Sequence, residues 1–249
     1  MPEAMAGSAR EAVLGRIRVI VGEARAENVV AQEWAGLPRA YSVASGADED
    51  AKLQRLVDRL HDYDAVVYRI APEEIASTVL HILSTLGLSE VLVPAGLDRS
   101  WLPGSVVAGS PTVAAESAAK VGHDDVADGP IESGAIQCVE DRGFAPHELD
   151  RFAAVLTAST LAIAETGTLL LQNLLGQGRR AATLVPDVHL CVVREADVVA
   201  TVPEAMRRLQ ATAELPTTFI SGPSATADIE MTRIKGVHGP RFLHVLLVR

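Results

Sequence analysis

Between Ala65 and Pro94 the chain changes its apolar period twice, and few folds accept that pattern. Ala65–Ile70 is a short β-rich run. Pro72 follows where a first helical turn tolerates it, and Ile75, Val79, Ile82, Leu83 and Leu86 then form one apolar stripe closed by Gly87. Glu90–Pro94 returns to a strand pattern. Strand, helix and strand in that order make a crossover unit with parallel strands, right-handed in nearly all proteins. Just upstream, Leu53, Leu56, Val57 and Leu60 fall at i, i+3, i+4 and i+7 of a helix opened by Asp48-Glu49-Asp50. The expectation is an α/β fold: a mostly parallel sheet flanked by helices.

The second constraint is Leu161–Leu171, two apolar runs short enough to be buried strands around Glu165-Thr166-Gly167-Thr168. Gly167 can adopt the positive φ of a sharp reversal, so the chain turns there and leaves the Glu165 carboxylate at a strand end. A carboxylate so placed is solvated, paired or raised in pKa. It either builds a site or hydrogen-bonds its own turn.

Around these anchors the remaining patterns fall into order. Residues 1–47 read as a partly helical arm that packs on the core or on a neighbouring subunit, the latter giving a homo-oligomer. Residues 48–249 form the α/β domain. Val106-Val107 is a short strand and Thr112–Val121 a helix closed by Gly122. Gly122–Gly143 is a variable acidic insertion. Pro146 opens a helix with Leu149, Phe152 and Leu156 on one face. Pro186–Val193 is a strand, Pro203 starts a helix with Met206, Leu209 and Ala213 inward, and Thr217–Ile220 is another strand. Ser224 is placed to cap a helix beyond Gly222-Pro223. Val237–Pro240 turns the chain into Phe242–Val248, whose apolar run marks a central strand.

Composition removes several functions. The net charge is −10, which argues against nucleic acid. Nine acids crowd Glu116–Asp150 against Lys120 and Arg142, whereas Arg233, Lys235, Arg241 and Arg249 outnumber Asp228 and Glu230 after Ser221. A small anion fits the second region better. No apolar run approaches the roughly 20 residues of a membrane span, and the N-terminus lacks the order of a signal peptide, so the expected location is cytoplasmic. The two cysteines, Cys138 and Cys191, supply neither a disulfide framework nor a four-cysteine cluster. In redox chemistry another chain must carry the electrons. Gly176-Gln177-Gly178-Arg179-Arg180-Ala181 spells G-x-G-x-x-A, but Pro186 arrives before a crossover helix could form. No dinucleotide or other cofactor is expected.

Polar groups gather at three further places. Asp187 and His189, two apart on a strand, point the same way and could orient an imidazole for proton transfer. Ser221, Gly222, Ser224, Thr226 and Asp228 offer hydroxyls and backbone N–H groups to a carboxylate or phosphate. His238-Gly239 stands in the turn before the last strand. A metal site gathering Glu165, Asp187, His189 and His238 has no ligand spacing behind it, and none is expected.

The motifs AIAETGT, LVPDVHLCVV, FISGPSATADIE and GVHGPRFLHVLLV, in that order, resemble the LUD domain and within it the lactate utilization protein C family. The likeness is dense over 149–248 and looser over 48–109. It implies a fold like that of the ribose-5-phosphate isomerase, glucosamine-6-phosphate deaminase and CoA-transferase group. It also implies a part in oxidising L-lactate to pyruvate beside iron–sulfur partner proteins. The site then expected holds a small carboxylate or phosphorylated ligand, with Glu165, Asp187 and His189 as its reactive groups. Thr166, Gly167, Thr168, Ser221, Gly222, Ser224, Thr226, Asp228, His238 and Gly239 would hold the ligand. Two rival expectations are an acyl- or CoA-transferase-like enzyme using Glu165 covalently, and a non-catalytic assembly protein for the iron–sulfur subunits.

Overall fold

The computed structural model describes residues 4–21, 27–38, 46, 48–108, 136–226, 234–235 and 239–249. The chain divides into two units, Met1–Tyr41 and Ser42–Arg249. The first carries helices α1 (Ala4–Val21) and α2 (Glu27–Gly36).

The second unit begins with α3 (Glu49–Asp62), started by the Asp48 carboxylate accepting the Ala51 N–H at 2.7 Å. Its Leu53, Leu56, Val57 and Leu60 are buried, as their spacing predicts. There follow β1 (Val66–Ile70), a single 3₁₀ turn at Pro72–Glu74, α4 (Ile75–Thr85), β2 (Glu90–Val93) and β3 (Val106–Ala108). Then come β4 (Gln137–Glu140), α5 (Pro146–Leu149), β5 (Ala154–Ala158), β6 (Leu161–Ile163), β7 (Thr168–Leu171) and β8 (Val188–Arg194). The chain ends with β9 (Val198–Val199), α6 (Val202–Leu209), β10 (Thr218–Ile220), β11 (Ala225–Thr226), β12 (Ile234–Lys235) and β13 (Phe242–Val248).

Seven strands form one sheet in the order β1-β13-β8-β5-β2-β4-β3, every pair parallel. A parallel sheet must be covered on both faces, and its central strands are accordingly mostly apolar on both, with Thr157, His189 and His244 as buried polar exceptions. On one face Val188, Leu190, Val192, Leu246 and Val248 meet α4 through Ile75, Val79, Ile82 and Leu83. On the other, Cys191, Val193, Leu243, Val245 and Leu247 meet α3 together with Ala162, Ala164, Leu169 and Leu171 of a second sheet. That sheet has the order β10-β7-β6-β9, with β6 and β7 an antiparallel hairpin. The α/β architecture expected from the sequence is therefore present. Among the described residues no helix is long and apolar enough to cross a membrane.

Several local expectations need correction. The strands β1 and β2 are parallel, but β13, β8 and β5 lie between them. The acidic Gly122–Gly143 insertion contains an interior strand: β4 sits between β2 and β3 with Cys138 and Val139 buried. A four-residue strand with two core residues inside an acid-rich window does not show in its composition. The predicted helix Thr112–Val121 lies outside the described residues. The helix at Pro146 lasts one turn. Leu149 and Phe152 do pack together, but Leu156 belongs to β5 and faces the opposite side of the sheet. In α6 it is Ala205 and Leu209 that are buried, while Met206 and Ala213 are exposed. No helix starts at Ser224, because Ala225-Thr226 pairs with Ile234-Lys235 as an antiparallel ribbon.

Candidate functional site

The turn of the β6–β7 hairpin is fixed by Gly167. Its φ is +61°, and a Cβ there would stand 2.8 Å from the Arg59 Cβ and 3.0 Å from the Arg59 carbonyl carbon on α3. Only glycine lets the hairpin approach the helix this closely. Glu165, two residues earlier, reaches the start of α6, where its Oε1 accepts the Val202 N–H at 2.8 Å. Glu204 serves the neighbouring amides of Ala200 and Thr201, and Thr201 caps the helix through its hydroxyl. The Glu165 carboxylate thus ties the hairpin turn to a helix N-terminus, where a negative charge is favoured.

From the same turn a chain of hydroxyls runs outward. Thr166 Oγ1 and Thr168 Oγ1 are 2.7 Å apart, and Thr168 Oγ1 and Ser221 Oγ 2.8 Å. Thr168 is buried and Ser221 exposed, so the chain leads from core to surface. Ser221 stands on the wall of a cleft of about 200 Å³, which Arg180, Thr183, His189, Phe219, Ser224 and Gly239 also line. Gly222 has φ +82°, and a Cβ there would lie 2.4 Å from the Tyr63 Cβ, so this wall presses on the end of α3. The Ser224 N–H donates to the Pro240 carbonyl at 2.7 Å and joins the wall to the strand β13 entry. Arg180 makes no ion pair among the described residues and contributes the cleft's positive charge.

His189 forms part of the cleft wall from β8 and is 1% exposed. Its Nε2 lies 2.8 Å from Thr157 Oγ1 on β5, and its Nδ1 has no hydrogen-bond partner among the described residues. Burial disfavours the charged ring and lowers its pKa to about 4. Asp187 is turned elsewhere: Arg241 Nε donates to its Oδ1 at 3.1 Å, and Arg241 Nη2 pairs with its Oδ2. Asp187 precedes β8 and is held by Arg241, which precedes the neighbouring strand β13, while His189 is held by Thr157.

The LUD domain family matches residues 53–248. The chain belongs to that family. Among its relatives, the lactate utilization protein C of Deinococcus radiodurans is 37% identical over 210 residues, 84% of each chain. The lactate utilization protein C of Shouchella clausii is 41% identical over 90 residues, which cover 34% of this LUD chain and 39% of that protein. A crystal structure of a DUF162 family protein from Deinococcus radiodurans superposes with a TM-score of 0.60 at 31% identity, covering 82% of this chain and 99% of the other.

Of the residues singled out in the LUD chain's sequence, the structure brings two groups together. Thr166, Thr168 and Ser221 form the hydroxyl chain, and Ser221, Gly222, Ser224, His189 and Gly239 share the cleft. Glu165 stands outside the cleft lining, and Asp187 is paired with Arg241 rather than with His189. Asp228 and His238 lie outside the described residues, as does the side chain of Thr226. Among the described residues no three of His, Cys, Asp and Glu gather as a metal site would require. Three contributors escaped the sequence reading: Arg180, Thr183 and Thr157. The segment Gly176–Ala181 does lack a crossover helix, giving only a 3₁₀ turn at Arg180–Thr183. The adjacent arginines Arg179-Arg180 in that turn were nonetheless a usable signal, since one such residue pairs inward and the other is left to the surface. A second hollow of about 290 Å³ opens at the carboxyl ends of β2, β5 and β8, beside Trp101, Gly176 and Arg194. Its arginine is already engaged by Asp197 at 2.7 Å.

Proposed function

We propose that this chain serves lactate utilization and does so by binding a small anion, a carboxylate or phosphorylated metabolite, in the cleft between Arg180 and Ser221. The supporting observation is the company Arg180 keeps. An arginine with no carboxylate partner among the described residues shares a small cleft with the hydroxyl-bearing residues Thr183, Ser221 and Ser224 and with buried His189. A guanidinium beside hydroxyl donors is a chemistry that selects carboxylates and phosphates. The volume lies below the range usual for drug-sized ligands and suits a metabolite of few atoms. A relative matched over 84% of this chain carries the name lactate utilization protein C, which supplies the physiological setting.

In this reading the electrons of lactate oxidation pass through partner proteins bearing iron–sulfur clusters, since two buried cysteines on separate strands cannot ligate one here. Glu165 acts as a positioning residue that holds the Thr166–Thr168 turn against α6.

The test is Arg180→Ala in the full chain. It is expected to leave the melting temperature of the free protein unchanged, weaken carboxylate or phosphate binding at least tenfold in calorimetry, and slow growth of the host on lactate but not on pyruvate. Growth on lactate at the wild-type rate with Arg180→Ala would show that the cleft is not used, and the role would shift to docking of partner proteins.

A further inference from the structure

The loop Gly176–Gly178 lacks the crossover helix of a dinucleotide site, yet it is fastened to the sheet beside the hollow of about 290 Å³. The Gly176 N–H donates to the Ala95 carbonyl beyond β2 at 2.9 Å, and the Gly176 carbonyl accepts the Ala158 N–H of β5 at 2.7 Å. Gly176 and Gly178 have left-handed backbones, with φ of +78° and +74°, and Gln177 between them is only 5% exposed. Its Oε1 accepts the Gln172 N–H at 2.6 Å and the Thr160 hydroxyl at 3.0 Å. A backbone N–H can only donate, so the amide cannot be turned the other way and its nitrogen is assigned by chemistry. That Nε2 has no hydrogen-bond partner among the described residues, yet it is not sealed from solvent as His189 Nδ1 is. Gln177 lines the hollow and is otherwise enclosed, so this donor opens there.

In open α/β sheets ligands lie in crevices at the carboxyl ends of the strands, which is where this hollow stands. Its other polar groups are acceptors. Ser159 gives its own proton to the Val192 carbonyl at 3.0 Å and offers lone pairs. Asp98 uses Oδ1 for the Ser100 N–H and hydroxyl, at 2.9 Å and 2.7 Å, and keeps Oδ2. Arg194 is neutralised by Asp197, so the charge left on the lining is that of Asp98. A carboxylate or phosphate would bring acceptors alone and a charge of the wrong sign. An ammonium group has no acceptor for Gln177. A hydroxyl is donor and acceptor at once. We infer that the hollow takes an uncharged polyhydroxylated ligand, a free sugar or the ribose of a nucleoside. One hydroxyl oxygen accepts from Gln177 Nε2, others donate to Ser159 Oγ and Asp98 Oδ2, and Trp101 and Leu97 supply apolar wall for its C–H groups. No residue lines both this hollow and the anion-binding cleft, so either reading can fail without the other.

Titration of the ¹⁵N-labelled full chain with D-glucose, D-ribose, adenosine and D-gluconate tests it, read from the side-chain amide of Gln177. At least one uncharged probe is expected to shift that amide saturably. D-gluconate, rich in hydroxyls but carrying a carboxylate, is expected to bind about tenfold more weakly than the best of them. A response to adenosine alone places the ligand among nucleosides, and a response to either sugar places it among free sugars. Gln177→Glu keeps an oxygen for Gln172 and Thr160 and replaces only the donor. Followed through the backbone amides of Ser159 and Gly176, it is expected to weaken binding about tenfold, the scale of one hydrogen bond in an enclosed site, while Arg180→Ala leaves binding unchanged. No shift with any of the three uncharged probes, D-gluconate binding as tightly as they do, or affinity that survives Gln177→Glu overturns the inference. Should Gln177→Glu not fold, the wild type decides. A Gln177 side-chain amide that moves together with the backbone of the hollow sustains the inference, and one that stays still while that backbone moves overturns it.

Discussion

Gly167 carries the strictest demand on any single position in the hairpin. Alanine there meets two penalties at once, a left-handed backbone and a Cβ pressed onto Arg59. Gly167→Ala is expected to destabilise the protein by about 2–3 kcal/mol, read as a lower urea midpoint at unchanged slope. The same residue shows what a sequence displays well. A glycine between two apolar runs announces its turn without help from elsewhere in the chain, and the glutamate beside it announces a polar strand end. Whether that glutamate faces a ligand or a helix depends on α6, which begins at Val202, 37 residues away. Arg180 was missed for the same reason, since its value lies in being near Ser221 and His189, and no local pattern records that nearness. His189 was visible as a strand histidine, but its assumed partner Asp187 proved to belong to Arg241.

Among elements, the join of β4 to the turn at Arg179 shows how charge stands in for apolar area at the sheet's margin. Asp141, with a side chain only 4% exposed, follows β4 and receives Arg179 Nε at 2.7 Å and Nη2 at 3.1 Å. Burial works against its ionisation. The Arg179 bonds and charge and the N–H groups of Gly143 and Phe144 outweigh burial, so the carboxyl titrates below its ordinary value. Arg179 also donates to the Phe144 carbonyl, which fixes the aromatic pair Phe144 and Phe152 beneath α5. Removing the cation strands a buried carboxylate, so Arg179→Ala is expected to cost about 3 kcal/mol, measured by chemical denaturation at pH 7. Restoring charge with lysine recovers only part of that, because the bidentate geometry is lost. Element type was legible wherever the period was long, as in α3 and α4. It was obscured where a short core strand lay among acids, at β4, or where helical spacing ran by chance into a strand, at Leu156.

At the scale of the whole molecule, two buried histidines set the response to acid. His189 lies on the face covered by α3 and the second sheet, and His244 on the face covered by α4, stacked on Tyr68. Burial lowers both pKa values to about 4 in the folded protein, against 6.5 for a free imidazole. The unfolded chain therefore binds protons between those values that the folded one refuses. Stability is full above pH 6.5, falls as pH drops toward 4, and levels below that, by up to about 3 kcal/mol for each ring. A urea midpoint that stays flat between pH 6.5 and 4 would contradict this. The parallel sheet was readable from the sequence as a class, because its longer strands are mostly apolar and the first two are separated by a helical stripe. Its order was not, because strand order is a property of which surfaces meet and leaves no periodic trace. That order has a consequence for how the protein is made. The strand β13 fills the slot between β1 and β8, so a chain emerging from the ribosome holds that slot open until a strand far downstream of both has been made. The strand β1 waits for β13, contacts of such long sequence separation form slowly, and until they do both flanks of the gap remain unpaired edges. Until β13 is in place, the two halves of this sheet are held apart by a gap whose edges could each template pairing with another chain.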